Sequence, residues 1–287
     1  MKAGWLGLET AEKSYSKLKD RFVPLRKRDN NSTEEYLWRY TKRLNNGENL
    51  EPLTQETGDC VSFATAQAGK YLTAVAICEH GENFQFKDWF PPFIYGVSRT
   101  APECGNGELG RSAGSVGSWA VIGLQKHGVL FSDDEGVPAY SGALADRWGY
   151  RGVPQEFYDL AKDNPCKSAS KITSVDQLRE ALLNKCPVII GSQWGFKVVE
   201  KDHHLIYVPE GQWGHEMCFI GWHDDPFPGA FRLNSWGRQG IRPSLNGEPD
   251  GGAWCTAEQL EREIPQSELF ALDCFQGDRT KGRYSFI

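Results

Sequence analysis

Residues 54–72 read TQETGDCVSFATAQAGKYL. A Gly58-Asp59 pair runs into Cys60, and Val61, Ala64, Thr65, Ala68, Tyr71 and Leu72 then recur at three- and four-residue steps. That spacing predicts an amphipathic helix with one apolar stripe and Cys60 at its first or second position. A thiol placed there faces unpaired backbone N–H groups and the positive end of the helix dipole. Both favour thiolate over the ordinary thiol, whose pKa is about 8.5. A lone helical cysteine is otherwise a small buried side chain, so its reading depends on the partners the rest of the chain supplies.

The second half supplies them. In WGHEMCFIGWH, His215 follows a glycine and precedes a strand-like apolar run. In FRLNSWGRQG, Asn234 ends another such run, with Trp236 two residues on. A cysteine nucleophile needs a histidine as ion-pair partner and general base, and a third group to hold the imidazole. An asparagine oxygen accepts the ring N–H and fixes its orientation; an indole beside that hydrogen bond keeps water off it. Taken singly, His215 reads equally well as a buried satisfied histidine and Asn234 as a turn residue.

The order Gln55, Cys60, His215, Asn234-Ser-Trp-Gly resembles the papain-like cysteine peptidases, with Cys, His and Asn as the triad. NSWG stands as that family writes it, and GDC is the form seen in several members, calpains among them. LREALLNKCPVIIGSQW is similar to the helix and strand that precede the histidine. SAGSVGSWAVIGLQKHGVLFSDDEGVPAY is similar to the segment in which paired glycines precede a helix. The resemblance spans roughly residues 52–275. It implies an α+β fold of two lobes, a helical one and an antiparallel β-barrel-like one, with the active site in the cleft between them. It also implies a catalytic Cys60, His215 and Asn234, with Trp236 as shield. Gln55 and the Cys60 N–H would hold the oxyanion, and Gly114-Ser115 would pair with the substrate chain in β fashion. Endopeptidase action on extended polypeptide follows, with no cofactor and no metal.

This chain departs from the family pattern at several points. Gln55 lies five residues before the nucleophile rather than six, and Val61 replaces the tryptophan that commonly follows it. Ser115 replaces the second glycine, which narrows that subsite. The positions of the family's usual disulfide are Thr57 and Ser112. Residues 1–50 are short of an inhibitory propeptide of about a hundred residues, though long enough to cover part of the cleft.

Composition agrees with a soluble globular protein. Of 287 residues, 39% are hydrophobic and 24% charged, and the net charge of −6 argues against a nucleic-acid partner. No apolar run approaches the roughly 20 residues of a membrane span, and the N-terminus turns charged too soon for a signal peptide. Eight cysteines show neither C-x-x-C nor zinc-finger spacing. With the two substituted disulfide positions, this points to a reducing, cytoplasmic setting.

Turn and cap signals divide the chain into an N-terminal extension (1–50), a helical lobe carrying the nucleophile (51–150) and a β-rich lobe carrying histidine and asparagine (151–287). Asn31 or Ser32 is the expected cap of a short helix bearing Tyr36, Leu37 and Tyr40, Gly128 ends a second helix, and Ser174 with Gln177 opens a third. PVIIGSQW, HHLIYVPE, HEMCFIGWH and AFRLNSWG read as short strands separated by turns. Two other functions fit the same fold: a peptidoglycan-peptide hydrolase or acyl transferase, and a structural or binding module within a larger assembly or a virion.

Overall fold

A computed structural model describes residues 4–25, 31–81, 85–164, 166–237 and 243–273. Its helices are α1 (Leu8–Leu18), α2 (Trp38–Leu44), α3 (Cys60–His80), α4 (Pro91–Thr100), α5 (Gly117–His127), α6 (Gly142–Arg151), α7 (Gln155–Ala161), α8 (Val175–Leu183) and α9 (Ala257–Glu263). Its strands are β1 (Glu34–Tyr36), β2 (Ser168–Lys171), β3 (Val188–Lys201), β4 (His204–His223), β5 (Gly229–Leu233), β6 (Gly252–Thr256) and β7 (Glu268–Asp273). This is the mixed helix and antiparallel-sheet arrangement that the sequence implies.

The sheet runs β2-β7-β3-β4-β5-β6, with β1 added beside β4. All neighbours are antiparallel except a single parallel pairing of Ile206 with Trp254, which brings β6 back against β4 and curls the sheet. Its two faces carry separate cores. One holds Leu178, Leu182, Val188, Ile190 and Phe219 under α8 and α9; the other holds Ile189, Cys218, Ile220 and Phe270 and packs toward α3.

α3 differs from the expected single stripe. From Cys60 to Ala76 it is buried on every side apart from the partly exposed Thr73, with α2, α4 and α5 on one flank and β3 and β4 on the other. Ala64, Ala66, Ala68, Ala74 and Ala76 allow these neighbours to approach closely, and a helix enclosed all round has no polar face to show. Its one internal cation, Lys70, meets Asp88 at 2.9 Å and lies over the Phe86 ring.

Two further local expectations are corrected. Residues 34–36 are strand, paired with Gly221–His223 of β4, and the helix begins only at Trp38; pairing with an existing edge outweighs the weak capping signal at Ser32. HHLIYVPE and HEMCFIGWH form one continuous strand, β4, with register shifts opposite Trp194. The caps at Gly128 and Ser174 are formed: Gly128 has φ +83° and Ser174 Oγ accepts from the Gln177 N–H at 3.2 Å.

Candidate active site

Cys60 opens α3, directly after Asp59, with no side-chain cap. Asp59 is buried; burial pushes its carboxyl up to about 7, against the Tyr140 hydroxyl that donates to it at 3.1 Å. The segment before Cys60 is tied to the other half of the molecule. The Gln55 N–H donates to Ser235 O at 2.9 Å, the Gly237 N–H to Leu53 O at 2.8 Å, and Thr54 bridges Trp236. The helix N-terminus is thereby fixed against the loop that follows β5.

His215 lies on β4 opposite Ser192 of β3, and Asn234 directly follows β5. The His215 Nε2–H donates to Asn234 Oδ1 at 2.9 Å, and that oxygen also accepts the Ser235 N–H at 2.7 Å. Trp236 stacks on the imidazole with ring centres 4.3 Å apart at 21°, and Phe196 stacks on Trp236 in turn. With its proton on Nε2, the ring leaves Nδ1 as a bare acceptor, buried and without a hydrogen bond. The Glu216 N–H, one residue on, donates to Cys60 Sγ at 3.4 Å. The thiol therefore sits against β4 at the histidine. The arrangement is a thiol at a helix terminus, an imidazole oriented by an amide oxygen, and an indole stacked over that ring.

Gln55 is engaged differently from an open oxyanion donor. Its Nε2 donates to Thr57 O at 2.7 Å, and its Oε1 accepts from Ser235 Oγ at 2.6 Å.

Gly114 and Ser115 precede α5, and the chain's own N-terminus is paired with them. Ser115 N–H donates to Gly4 O at 2.8 Å and Leu6 N–H to Ser115 O at 3.1 Å, making Trp5 and Ser115 parallel strand partners. On the opposite wall, Gly4 N–H and Trp5 N–H both donate to Gly214 O. Gly114 has φ +106°, and a Cβ there would stand 2.7 Å from both Gly4 O and Leu6 Cδ2. Only glycine admits the segment at this point. The N-terminal segment thus covers the site, and Cys60 and His215 are wholly buried.

Covering dictates the protonation states. Burial, followed by the charge of Glu216, pushes the Cys60 thiol far up, against backbone hydrogen bonds from Glu216 and Gly4. Burial pulls His215 down to about 4, opposed by its bond to Asn234. Both shifts favour the neutral thiol and the neutral imidazole under the cover.

The site contains residues that no sequence pattern had marked. Arg99 of α4, buried, donates from Nε to Gly149 O, from Nη1 to Gly114 O and Tyr95 Oη, and from Nη2 to Gly110 O and Ser112 O. It pins the 110–114 segment at the place of one family cysteine, while Thr57, at the other, bonds Asp146 at 2.7 Å. None of the seven cysteines among the described residues is in a disulfide; Cys274 lies outside them. Trp5, Glu216 and Glu268 also went unmarked. A Gly4-Trp5-Leu6-Gly7 stretch in a charged N-terminal segment was the available hint.

No protein-family model matches the sequence, and no curated protein matches it significantly. Solved structures do match. Xylellain, a cysteine protease from Xylella fastidiosa, superposes with a TM-score of 0.61 at 17% identity, over 88% of this chain and 92% of its own. Procathepsin B S9 from Trypanosoma congolense gives 0.57 at 10% identity, covering 94% and 86%. The proform of the ragweed pollen cysteine protease Amb a 11 gives 0.57 at 13%, covering 94% and 76%. At these identities the likeness is one of fold. The chain has the papain-like two-lobe fold. Among the described residues no helix is long and apolar enough to cross a membrane.

Proposed function

We propose that this chain is a cysteine endopeptidase in a latent, self-covered form. The observation that carries the reading is the His215–Asn234 hydrogen bond under Trp236, with Nδ1 left unpartnered beside the helix-terminal Cys60. The cysteine-protease neighbours, two of them proforms, support it. The functional division is a nucleophile-bearing half (51–150) and a half bearing histidine and asparagine (151–287).

Once the N-terminal segment leaves, water returns and the proton passes from Cys60 to His215 Nδ1. The thiolate attacks a peptide carbonyl carbon, forming a C–S bond and a tetrahedral oxyanion. The Cys60 N–H and, after turning from Thr57 O, the Gln55 amide stabilise that charge. The C–N bond breaks as imidazolium His215 protonates the departing amine. Water then attacks the thioester while His215 takes its proton, the C–S bond breaks, and the carboxylate product departs. Asn234 keeps Nδ1 toward the sulfur throughout. Ser115 offers the extended substrate the same N–H and C=O that now hold residues 4–6.

The test is intact mass after exposure to an epoxysuccinyl peptide probe. One adduct on the natural chain, absent from Cys60→Ala, is the expected result. A folded protein with a titratable thiol and no selective adduct, even with Trp5→Ala, would favour a binding module instead.

A further inference from the structure

Trp5 packs against Gly191 and a buried carboxyl. Its indole lies against the Gly191 backbone, where any Cβ would stand 2.2 Å from Nε1. Nε1 donates to Glu268 Oε2 at 3.2 Å. Glu268 is buried on β7 and is also held by the N–H groups of Gly117 and Ser118, at 2.9 and 3.1 Å. A second carboxyl, Glu216, comes from β4. A Cβ built on Gly117 would be 3.3 Å from both Glu216 oxygens and 3.3 Å from Glu268 Oε2, so the two acids converge on one spot. Glu216 is fully buried, and neither of its side-chain oxygens has a hydrogen-bond partner.

A buried carboxyl with both oxygens unpaired is costly for a merely structural residue. An indole serves the pair poorly, because its single N–H goes to Glu268, already held by two backbone N–H groups, and leaves both Glu216 oxygens unpaired. A guanidinium offers five N–H donors in a planar fork, and an ammonium offers three; either also carries the positive charge that two carboxylates need. The pocket belongs to the residue paired with Ser115, next to the thiol, where a substrate's register is fixed.

Building on the peptidase reading, we propose that Glu216 and Glu268 form the floor of the principal specificity pocket and select peptides with arginine or lysine at the position that Trp5 now occupies. Trp5 is then a plug of the wrong chemistry: large enough to fill the pocket, but unable to engage Glu216. The substrate class is basic polypeptide, cut at one fixed distance from a cationic side chain.

The experiment separates specificity from activity. Binding of two hexapeptides differing only in Arg against Leu at one central position is measured by calorimetry on the full chain carrying Trp5→Ala and Cys60→Ala. The Arg peptide is expected to bind at least tenfold more tightly, with the advantage lost in Glu216→Gln and reduced in Glu268→Gln. Equal affinities, or tighter binding of Leu, overturn the proposal whether or not the enzyme cuts, and the parent protein gives this result even if a glutamine variant fails to fold. In parallel, the Trp5→Ala chain with Cys60 intact is given a proteome-derived peptide mixture and its cut sites are mapped. Arg or Lys enriched at one fixed position beside the cut bond is expected; cutting without that enrichment also overturns it. Selective binding with no cutting would retain the pocket assignment and remove the peptidase reading alone.

Discussion

The Ser115 amide donates to the Gly4 carbonyl at 2.8 Å, so the backbone that would hold substrate holds the chain's own N-terminus. The bond is one of a set reaching both walls of the cleft, through Ser115 on one side and Gly214 on the other. Main-chain pairing supplies the register, and Trp5, 4% exposed, supplies the anchor.

Removing that anchor should open the site. Truncating a buried tryptophan costs roughly 3 kcal/mol or more where the surroundings are rigid, and somewhat less here because only a segment detaches. Trp5→Ala is expected to speed epoxysuccinyl labelling of Cys60 roughly 30- to 150-fold, at about 2–3 kcal/mol. Labelling is followed by intact mass over time. An unchanged rate would mean that the segment does not gate the thiol.

Opening should also rise with pH. Burial, then the charge of Glu268, raises the Glu216 carboxyl well above its ordinary value, and burial raises Glu268 too. An acid held protonated under the cover stabilises the covered state fully below its free pKa of about 4.3, and that stability is lost as pH climbs through the raised value. Cys60 and His215 carry shifts of opposite sense but share one proton in both states, as neutral pair or as ion pair, so they largely cancel. The other charges felt here are Asp59, by Cys60, Arg232, by His215, and Lys171, which senses Glu268. The labelling rate of the natural chain divided by that of Trp5→Ala removes the thiol's own titration. This ratio should rise as pH climbs above the free carboxylate value of about 4.3, and Glu216→Gln should flatten it. A constant ratio would show that the carboxyls do not control the cover.

Asn234→Ala should impair chemistry more than binding. With Oδ1 gone, nothing holds the proton on Nε2 and the ring's orientation is lost. On the Trp5→Ala background, a fall in kcat on the order of a hundredfold is expected with little change in KM. Steady-state peptide hydrolysis measures both. A matching rise in KM alone would assign Asn234 to substrate contact.

Arg99→Met should destabilise the whole protein. It leaves the carbonyls of Gly110, Ser112, Gly114 and Gly149 without their buried donor. A loss of about 3 kcal/mol or more is expected in denaturant unfolding. Arg99→Lys should recover less than half of it, because one ammonium cannot span four acceptors on two sides. A loss under about 1 kcal/mol would show that the 110–114 segment is held by other means.

The sequence was legible where a signal is local. The helix start at Cys60, the caps at Gly128 and Ser174, and the strand character around His215 each rest on neighbours a few residues apart. NSWG needed no geometry to be noticed. Misreadings fell where distant partners outweigh local preference. Residues 34–36 became strand because the edge of β4 was available, and α3 lost its polar face because two layers close over it.

By itself, then, the sequence determined the fold class and the placing of three residues: a cysteine at a helix start, a histidine on a strand and an asparagine just after one. Only the tertiary structure decided what occupies the cleft and which side chains line it there. Trp5 and Glu268 stand 263 residues apart, and Glu216 and Glu268 lie on strands that join only through β3. No periodicity records such meetings. They arise when the sheet curls and the cleft walls close, which buries Trp5 against Glu268 and leaves the Glu216 carboxyl without a hydrogen-bond partner.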